Sequence, residues 1–356
     1  MTDIIKGMIY GGAIGDAYGL MTEFMTKDEV IKNYGSIQKL SFDDFIQDGH
    51  RICWKKGDWT DDTDQAILID KAVKDNIFDM KMYSKLLINW IDKGLEMCGD
   101  TRGVGVGNTA NLFWGDYYAI DNPFLAGICI FTYNPFGPFN NNSNGSLMRC
   151  YRLVQYGDLN NIINNTIKSS FTHPSPYCVG SCILLNIMIY YVKYYKENNI
   201  KITNKLINNI VFDSFNIMKR KLSTYVQTLN KTIKELPNLT SQHPMHKIIQ
   251  NNVNEFSLFN FNKVIERFIK FINVSEFTEL KLDEEIGYVL KTIACAVIAF
   301  KKSLDYSFED ILIQIISEGG DSDTNCAVSG ALIGSVIGYN NINSKLHTNL
   351  IYKNIL

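Results

Sequence analysis

An all-α fold is the expectation for this chain, and three observations carry it. Apolar residues recur at three- and four-residue spacing along most of the sequence. Alternating strand-like runs joined by hairpin turns are scarce. Glycines also stand four apart near both ends, Gly7, Gly11, Gly15 and Gly19 and then Gly330, Gly334 and Gly338, which puts each set on one helix face.

The elements follow in order. Each ladder glycine costs a helix roughly 1 kcal/mol relative to alanine, so the first ladder implies a return, a smooth groove that lets another backbone come close. QAILIDKAVKD, YSKLLINWIDKGL and CVGSCILLNIMIYYVKYYK read as helices by their apolar period. From about residue 199 to 280 the chain is more polar, the pattern weakens, and LPNLT and SQHPM carry turn signals, so peripheral helices and loops are expected there. IGYVLKTIACAVIAFKKSL and FEDILIQIISEG resume the helical period, and the second ladder closes the core in CAVSGALIGSVIGY. With no internal repeat and no Pro/Gly/Ser linker, residues 1–356 read as a single domain with a divergent peripheral region at about 199–280.

Composition narrows the function classes. A chain of 356 residues, 46% hydrophobic and 12% aromatic, buries a substantial core. Its 35 Lys and Arg against 37 Asp and Glu leave a formal charge of -2, with no global basic field for nucleic acid or anionic lipid. Any anionic ligand is then held by local design. The cysteines, Cys53, Cys98, Cys129, Cys150, Cys178, Cys182, Cys295 and Cys326, form no C-x-x-C pair and mostly sit in apolar stretches, so they read as buried reduced thiols. MTDIIKGMIYGG lacks the features of a signal peptide, no segment is expected to reach bilayer-spanning length, and an intracellular, soluble protein is expected. The heavy use of Asn, Ile and Lys reads as coding bias.

Chemistry concentrates at the helix ends. GDWTDDTDQ crowds Asp61, Asp62 and Asp64 together, EGGDSDTN carries Asp321, Asp323, Thr324 and Asn325, and GDAYGLMTEF holds Asp16 and Glu23. Acids and threonines cap helices and complement the helix dipole, which explains one or two of these residues. Five acids in two short clusters, each beside a threonine, call for cations. Mg²⁺ or Mn²⁺ takes carboxylate, hydroxyl and water oxygens, and two such ions draw acids from several elements. Neither cluster has sulfur or imidazole, which disfavours zinc. An EF-hand reading of DSDTN fails because Cys326 stands where glycine is needed and Leu332 where glutamate is needed.

GDAYGLMTEF, WTDDTDQA, NGSLMR, THPSP, IGYVLKTIACAVIAF and EGGDSDTNCAVSGALIG, in that order, resemble the successive signatures of the ADP-ribosylglycohydrolase family. That family includes the enzyme that reactivates dinitrogenase reductase and the ADP-ribosylarginine and ADP-ribosylserine hydrolases. The resemblance covers about residues 5–185 and 285–345. It implies a compact, orthogonal multi-helix fold with a binuclear site for two Mg²⁺ or Mn²⁺ per chain, and cleavage of the bond between the anomeric ribose carbon of ADP-ribose and an acceptor atom. Carried over by position, Thr60, Asp61 and Asp62 match one metal-binding segment and Asp321, Asp323 and Thr324 the other. Glu23 matches the acid that bridges metal, water and substrate, and Glu23 and Asp62 are the catalytic candidates. Asp64 either supports this set or faces solvent.

The same resemblance suggests the substrate side. TRGVGVGN brings Gly103 and Gly105 as candidates to approach a diphosphate. NNNSNGSLMR resembles the second phosphate-contacting loop, with Asn144, Gly145 and Ser146 as candidates, although Ser143 stands where many members have glycine. His173 in THPSP matches a ligand-contacting histidine, or is a structural hydrogen bonder. Phe136 and Tyr177 are candidates to meet adenine or ribose, with core packing the plainer alternative. His243 and His246, without acidic companions, read as surface loop residues. The implied partner is an ADP-ribosylated protein or small conjugate, with no specific nucleic acid and no membrane. Two other readings stay open: a two-metal phosphodiesterase or phosphatase, and a non-catalytic crystallin-like or ADP-ribose-binding protein.

Overall fold

The first helix, Asp3–Gly19, starts where Thr2 Oγ1 accepts the Ile5 amide, in a computed structural model that describes residues 1–356 except 38, 40 and 136. Its glycine face meets the helix Ser322–Ile337 running the other way. A Cβ on Gly11 would lie 2.2 Å from the Gly330 carbonyl oxygen, and one on Gly7 2.3 Å from that of Gly334. No side chain larger than hydrogen fits between these backbones, and this close approach is the return on the helix propensity the glycines forfeit. The C-terminal end of the first helix is thereby drawn to the N-terminal end of the second: Gly19 abuts Ser322 and Asp323.

Among the described residues the architecture is mostly helical, and it includes a small hairpin that the sequence reading did not anticipate. Val73–Lys74 and Ile77–Phe78 form a small antiparallel hairpin with Val73 opposite Phe78. Asp75 and Asn76 turn it with φ of 50° and 61°, the left-handed pair that suits a two-residue hairpin. The helix read into QAILIDKAVKD therefore stops earlier, as Asp61–Lys71.

Around the glycine pair, Val289–Lys302 and Pro176–Glu197 are buried along most of their length. The second has 22 residues and is long and apolar enough to cross a bilayer, which corrects the expectation that no segment reaches that length. Its burial, 72% of the most apolar window, makes it a core helix of this fold. Against it packs Asn204–Leu239, a 36-residue helix in the region expected to be loops and peripheral helices. Its buried stripe runs Ile207, Ile210, Ser214, Met218, Leu222, Val226, Leu229, Ile233 and Leu236, while Asn and Lys on the outer face mask that period in the sequence. LPNLT is not a turn: Pro237 lies within the last turn of the helix, where its missing N–H leaves the Ile233 carbonyl without that donor just before the helix ends at Leu239. SQHPM does turn, and the helices His246–Glu255 and Phe261–Ile272 follow. All eight cysteines are unpaired and six are buried, but Cys53 is exposed and Cys98 half-buried, against the expectation for the set.

Candidate active site

Asp16, fully buried in the first helix, organises the acidic wall. Its two oxygens accept both the amide and the hydroxyl of Thr60 (2.9 and 2.9 Å) and of Thr63 (3.0 and 2.6 Å). Burial raises its carboxyl to about 6 while these four donors pull it down. Thr60 has one hydroxyl proton; with that proton on Asp16, its oxygen meets Asp323 Oδ2 at 3.4 Å lone pair to lone pair. Such a contact is relieved by a cation beside it or by a proton on Asp323.

The remaining acids point to the same need. Asp321 is the N-cap residue of Ser322–Ile337 yet makes no capping bond; its Oδ2 instead accepts from Asn144 Nδ2 (2.5 Å). Thr324 Oγ1 donates to Asp62 Oδ1 (3.2 Å), whereas Asp62 Oδ2 and Asp323 Oδ1 are buried without any partner. Burial first, and neighbouring acids second, push Asp61, Asp62 and Asp323 well above the ordinary carboxyl range, and burial lifts Asp321 to about 6. One oxygen each of Glu23, Asp321 and Asp323 lies within 4.8 Å of the others. An oxygen-only donor set with orphaned buried carboxylate oxygens fits a hard divalent cation.

Glu23 follows the first helix in a turn and is only 8% exposed. The turn is pinned by Phe24 N–H to the Gly320 carbonyl (2.7 Å) and by Gly320 N–H to the Met25 carbonyl (2.8 Å). Gly320 has φ 74°, and a Cβ there would fall 1.9 Å from the Leu282 oxygen, so the EGG before Asp321 is required by the join between the two clusters. Asp64 takes no part in the cation set and does not face solvent: Trp59 Nε1 and Trp90 Nε1 each donate to one of its oxygens (2.9 and 2.9 Å), and burial brings it to about 7.

A cavity of about 540 Å³ opens on this wall, within the range of small-molecule sites. The rest of its lining comes from several other chain segments. Gln65 Nε2 donates to Asp61 (2.8 Å) and Gln65 Oε1 accepts from Arg149 Nη1 (2.5 Å). Arg149 Nη2 donates to Thr172 Oγ1 (2.7 Å), which lies 2.8 Å from His173 Nδ1. Because arginine only donates, the Thr172 proton goes to Nδ1, and the His173 ring proton is fixed on Nε2. Burial, reinforced by Arg149, lowers His173 to about 3, so this donor is neutral. The loop Asn140–Gly145 completes the wall, tied to Gly287 and Val289 through Asn144 N–H (3.0 Å) and the Asn142 carbonyl (2.9 Å). Arg267 and Tyr288, 3.3 Å apart at Nε and OH, reach the same cavity.

The candidates from sequence divide accordingly. Glu23, Asp61, Asp62, Asp321, Asp323, Thr324, Gly105, Asn144, Gly145 and His173 line the cavity, and Thr60 stands directly behind Asp323. Gly103 and Ser146 do not line it: Gly103 packs on the backbone of Trp90 and Ile91, and buried Ser146 accepts the Cys182 thiol (3.5 Å). Gly107, Asn108 and Thr109 lie on the cavity instead. Tyr177 sits against Phe268, with ring centroids 6.1 Å apart, and Phe136 lies outside the described residues. His243 is not a surface residue: it is 5% exposed, its Nε2 is 3.1 Å from Asp116, and its Nδ1 accepts the Met245 amide. Its acidic partner is 127 positions away, out of reach of local reading. His50, Arg51, Gln65 and Arg267 were not anticipated; only the polar DGHR before an apolar run marked the first two.

An ADP-ribosylarginine hydrolase, Tri1, of Serratia proteamaculans is 24% identical over 96% of this chain and 73% of its own length. A putative ADP-ribosyl glycohydrolase of Acanthamoeba polyphaga mimivirus is 23% identical over 95% of this chain and 88% of its own. The solved structure of an ADP-ribosylglycohydrolase-related protein complex superposes with a TM-score of 0.62 at 18% identity, covering 99% of this chain and 93% of that one, which shows a shared fold. The sequence profile of the ADP-ribosylglycohydrolases matches residues 1–355, and the chain therefore belongs to the ADP-ribosylglycohydrolase family.

Proposed function

We propose that the chain is a divalent-metal-dependent hydrolase that releases ADP-ribose from a modified protein side chain or a related conjugate. The observation that carries this reading is the pair of buried, unpartnered carboxylate oxygens, Asp62 Oδ2 and Asp323 Oδ1, on residues lining a cavity that also presents Arg149, His173 and Arg267. Two Mg²⁺ or Mn²⁺ ions would be held by Thr60, Asp61 and Asp62 and by Asp321, Asp323 and Thr324. Such ions supply charge that polarises a water and the ribose hydroxyls of the substrate.

The chain's own groups have separable tasks in this reading. Glu23 Oε1, the oxygen left free by His50, accepts the proton of the attacking water as the anomeric carbon acquires oxocarbenium character. Asn144 orients Asp321, and Asp16 orients Thr60 and Thr63. His173 Nε2–H, the Gly105–Thr109 backbone and Arg267 face the anionic diphosphate, with no proton to gain or lose near neutral pH at His173. The ADP-ribosylarginine hydrolase among the relatives supports an N-glycosidic linkage to arginine as the first acceptor to try. A single domain and an intracellular site of action belong to the same proposal, the latter supported by eight unpaired cysteines.

Incubation with Mg²⁺ and defined ADP-ribosyl-arginine and ADP-ribosyl-serine peptides tests the reaction class. The expected product is ADP-ribose with its diphosphate intact. AMP or inorganic phosphate as primary product would replace the proposal by phosphodiester or phosphomonoester hydrolysis.

A further inference from the structure

Segment 48–54, DGHRICW, grips the Glu23 turn from outside both acidic clusters. Arg51 is fully buried; its Nε donates to the Leu20 carbonyl (2.7 Å), its Nη2 to the Glu23 carbonyl and its Nη1 to Asp48. His50 Nε2 stands 2.6 Å from Glu23 Oε2. A carboxylate oxygen accepts, so the ring nitrogen donates, and His50 decides which Glu23 oxygen stays free.

Phe24 is the anomaly beside it. It adopts φ 60°, a conformation that a bulky side chain enters only at a cost, yet its ring is 53% exposed and gains little from packing. That ring lines the cavity mouth, 4.9 Å from the His50 ring, which in turn lies 5.5 Å from Trp54. The turn bond from Phe24 N–H to the Gly320 carbonyl (2.7 Å) holds that φ, and it leaves the ring half-exposed beside Glu23 at the cavity. Phe24 adjoins Glu23 in the chain, and both line the cavity with the Asn140–Gly145 loop and His173.

We propose that Phe24 and His50 form the acceptor-side wall of the site, Phe24 presenting its ring to the group leaving the anomeric carbon and His50 acting as the positioning residue for Glu23. This rests on the hydrolase reading above. A planar cationic acceptor, a guanidinium, stacks on an exposed ring next to an acid far better than a hydroxymethyl group does. Phe24 thus favours the arginine conjugate, and His50 serves every acceptor equally.

Steady-state hydrolysis of ADP-ribosyl-arginine and ADP-ribosyl-serine peptides, with ADP-ribose as competitive inhibitor, separates these roles. Phe24→Gly relieves the backbone strain, so its melting temperature does not fall; its kcat/KM on the arginine peptide is expected to drop about 10-fold, with the inhibition constant of ADP-ribose within about 2-fold of the parent. His50→Ala is expected to lower kcat by roughly 10-fold or more on any conjugate cleaved, with KM little changed, and His50→Gln, which keeps a donor, to recover most of it. Unchanged turnover in both variants, or a loss matched by weaker ADP-ribose inhibition, overturns the acceptor wall while leaving the hydrolase reading intact. A parent protein that cleaves neither peptide overturns both.

Discussion

Asp61, Asp62, Asp321 and Asp323 line the same cavity as His173 and Arg149, and burial moves the acids and the histidine in opposite directions. On the acidic wall it lifts the carboxyls, because a desolvated anion is costly, and their crowding adds to the lift. On the other wall it depresses His173, which stays an uncharged donor. The acids leave Asp62 Oδ2 and Asp323 Oδ1 without partners, whereas His173 Nδ1 is bonded to Thr172 and Arg149 is bonded at both Nη atoms, to Gln65 and Thr172, with only its Nε left over. A ligand with a sugar at one end and a diphosphate in its middle suits that asymmetry.

Four perturbations break or sharpen the contrast. The largest effect is expected from replacing Asp321 and Asp323 together by Asn: turnover falls by about 10³-fold or more and divalent binding disappears, while circular dichroism shows helix content nearly unchanged because the glycine pair is untouched. Glu23→Gln keeps the size of the side chain and removes the base. It is expected to cost on the order of 10²-fold in single-turnover rate, with ADP-ribose affinity altered much less. His173→Ala should weaken ADP-ribose binding by about 10-fold in a titration and leave divalent affinity unaffected, since one hydrogen bond to a charged ligand is lost.

The fourth perturbation is pH, and it follows from the shifts directly. Asp16 and Asp321 rise from 3.8 to about 6 and Asp64 from 3.8 to about 7, so without metal the native state holds protons that the unfolded state has released. Stability from these groups is present below about pH 4 and is lost as pH rises through 6 and 7. His173, lowered from 6.5 to about 3, works the other way below pH 6.5, where the unfolded chain binds the extra proton. Three acids outweigh one histidine in that window, and above it only the acids act. Thermal melts in chelator are thus expected to fall in midpoint from pH 5 to pH 7.5, and saturating Mg²⁺ to cancel the fall.

The two walls also differ in how far the sequence disclosed them. The acidic group was legible because Thr60, Asp61 and Asp62, and again Asp321, Asp323 and Thr324, are neighbours in the chain, and the glycine ladders placed the second set at a helix end that meets the end of the first helix. The donor wall was only half legible: Gln65, Asn108, Arg149, Thr172, His173 and Arg267 converge from segments that no single window contains. Gly103 and Ser146 were assigned by motif alone, and backbone direction takes both away from the cavity. Arg51 and His50 acquire their roles only through the carbonyls and carboxylate of a turn some 28 residues earlier. The 36-residue helix was underread for a different reason, since its exposed Asn and Lys dilute a buried stripe that is otherwise unbroken.

Calorimetric titration of Mn²⁺ or Mg²⁺ into the metal-free protein near pH 7 tests the acidic group most directly. Orphaned oxygens on Asp62 and Asp323, together with raised carboxyls around them, lead to saturable binding of about two ions per chain accompanied by proton release, seen as a heat that changes with the ionisation enthalpy of the buffer. Folded protein that takes up no divalent ion, or takes it up without releasing protons, would contradict the account.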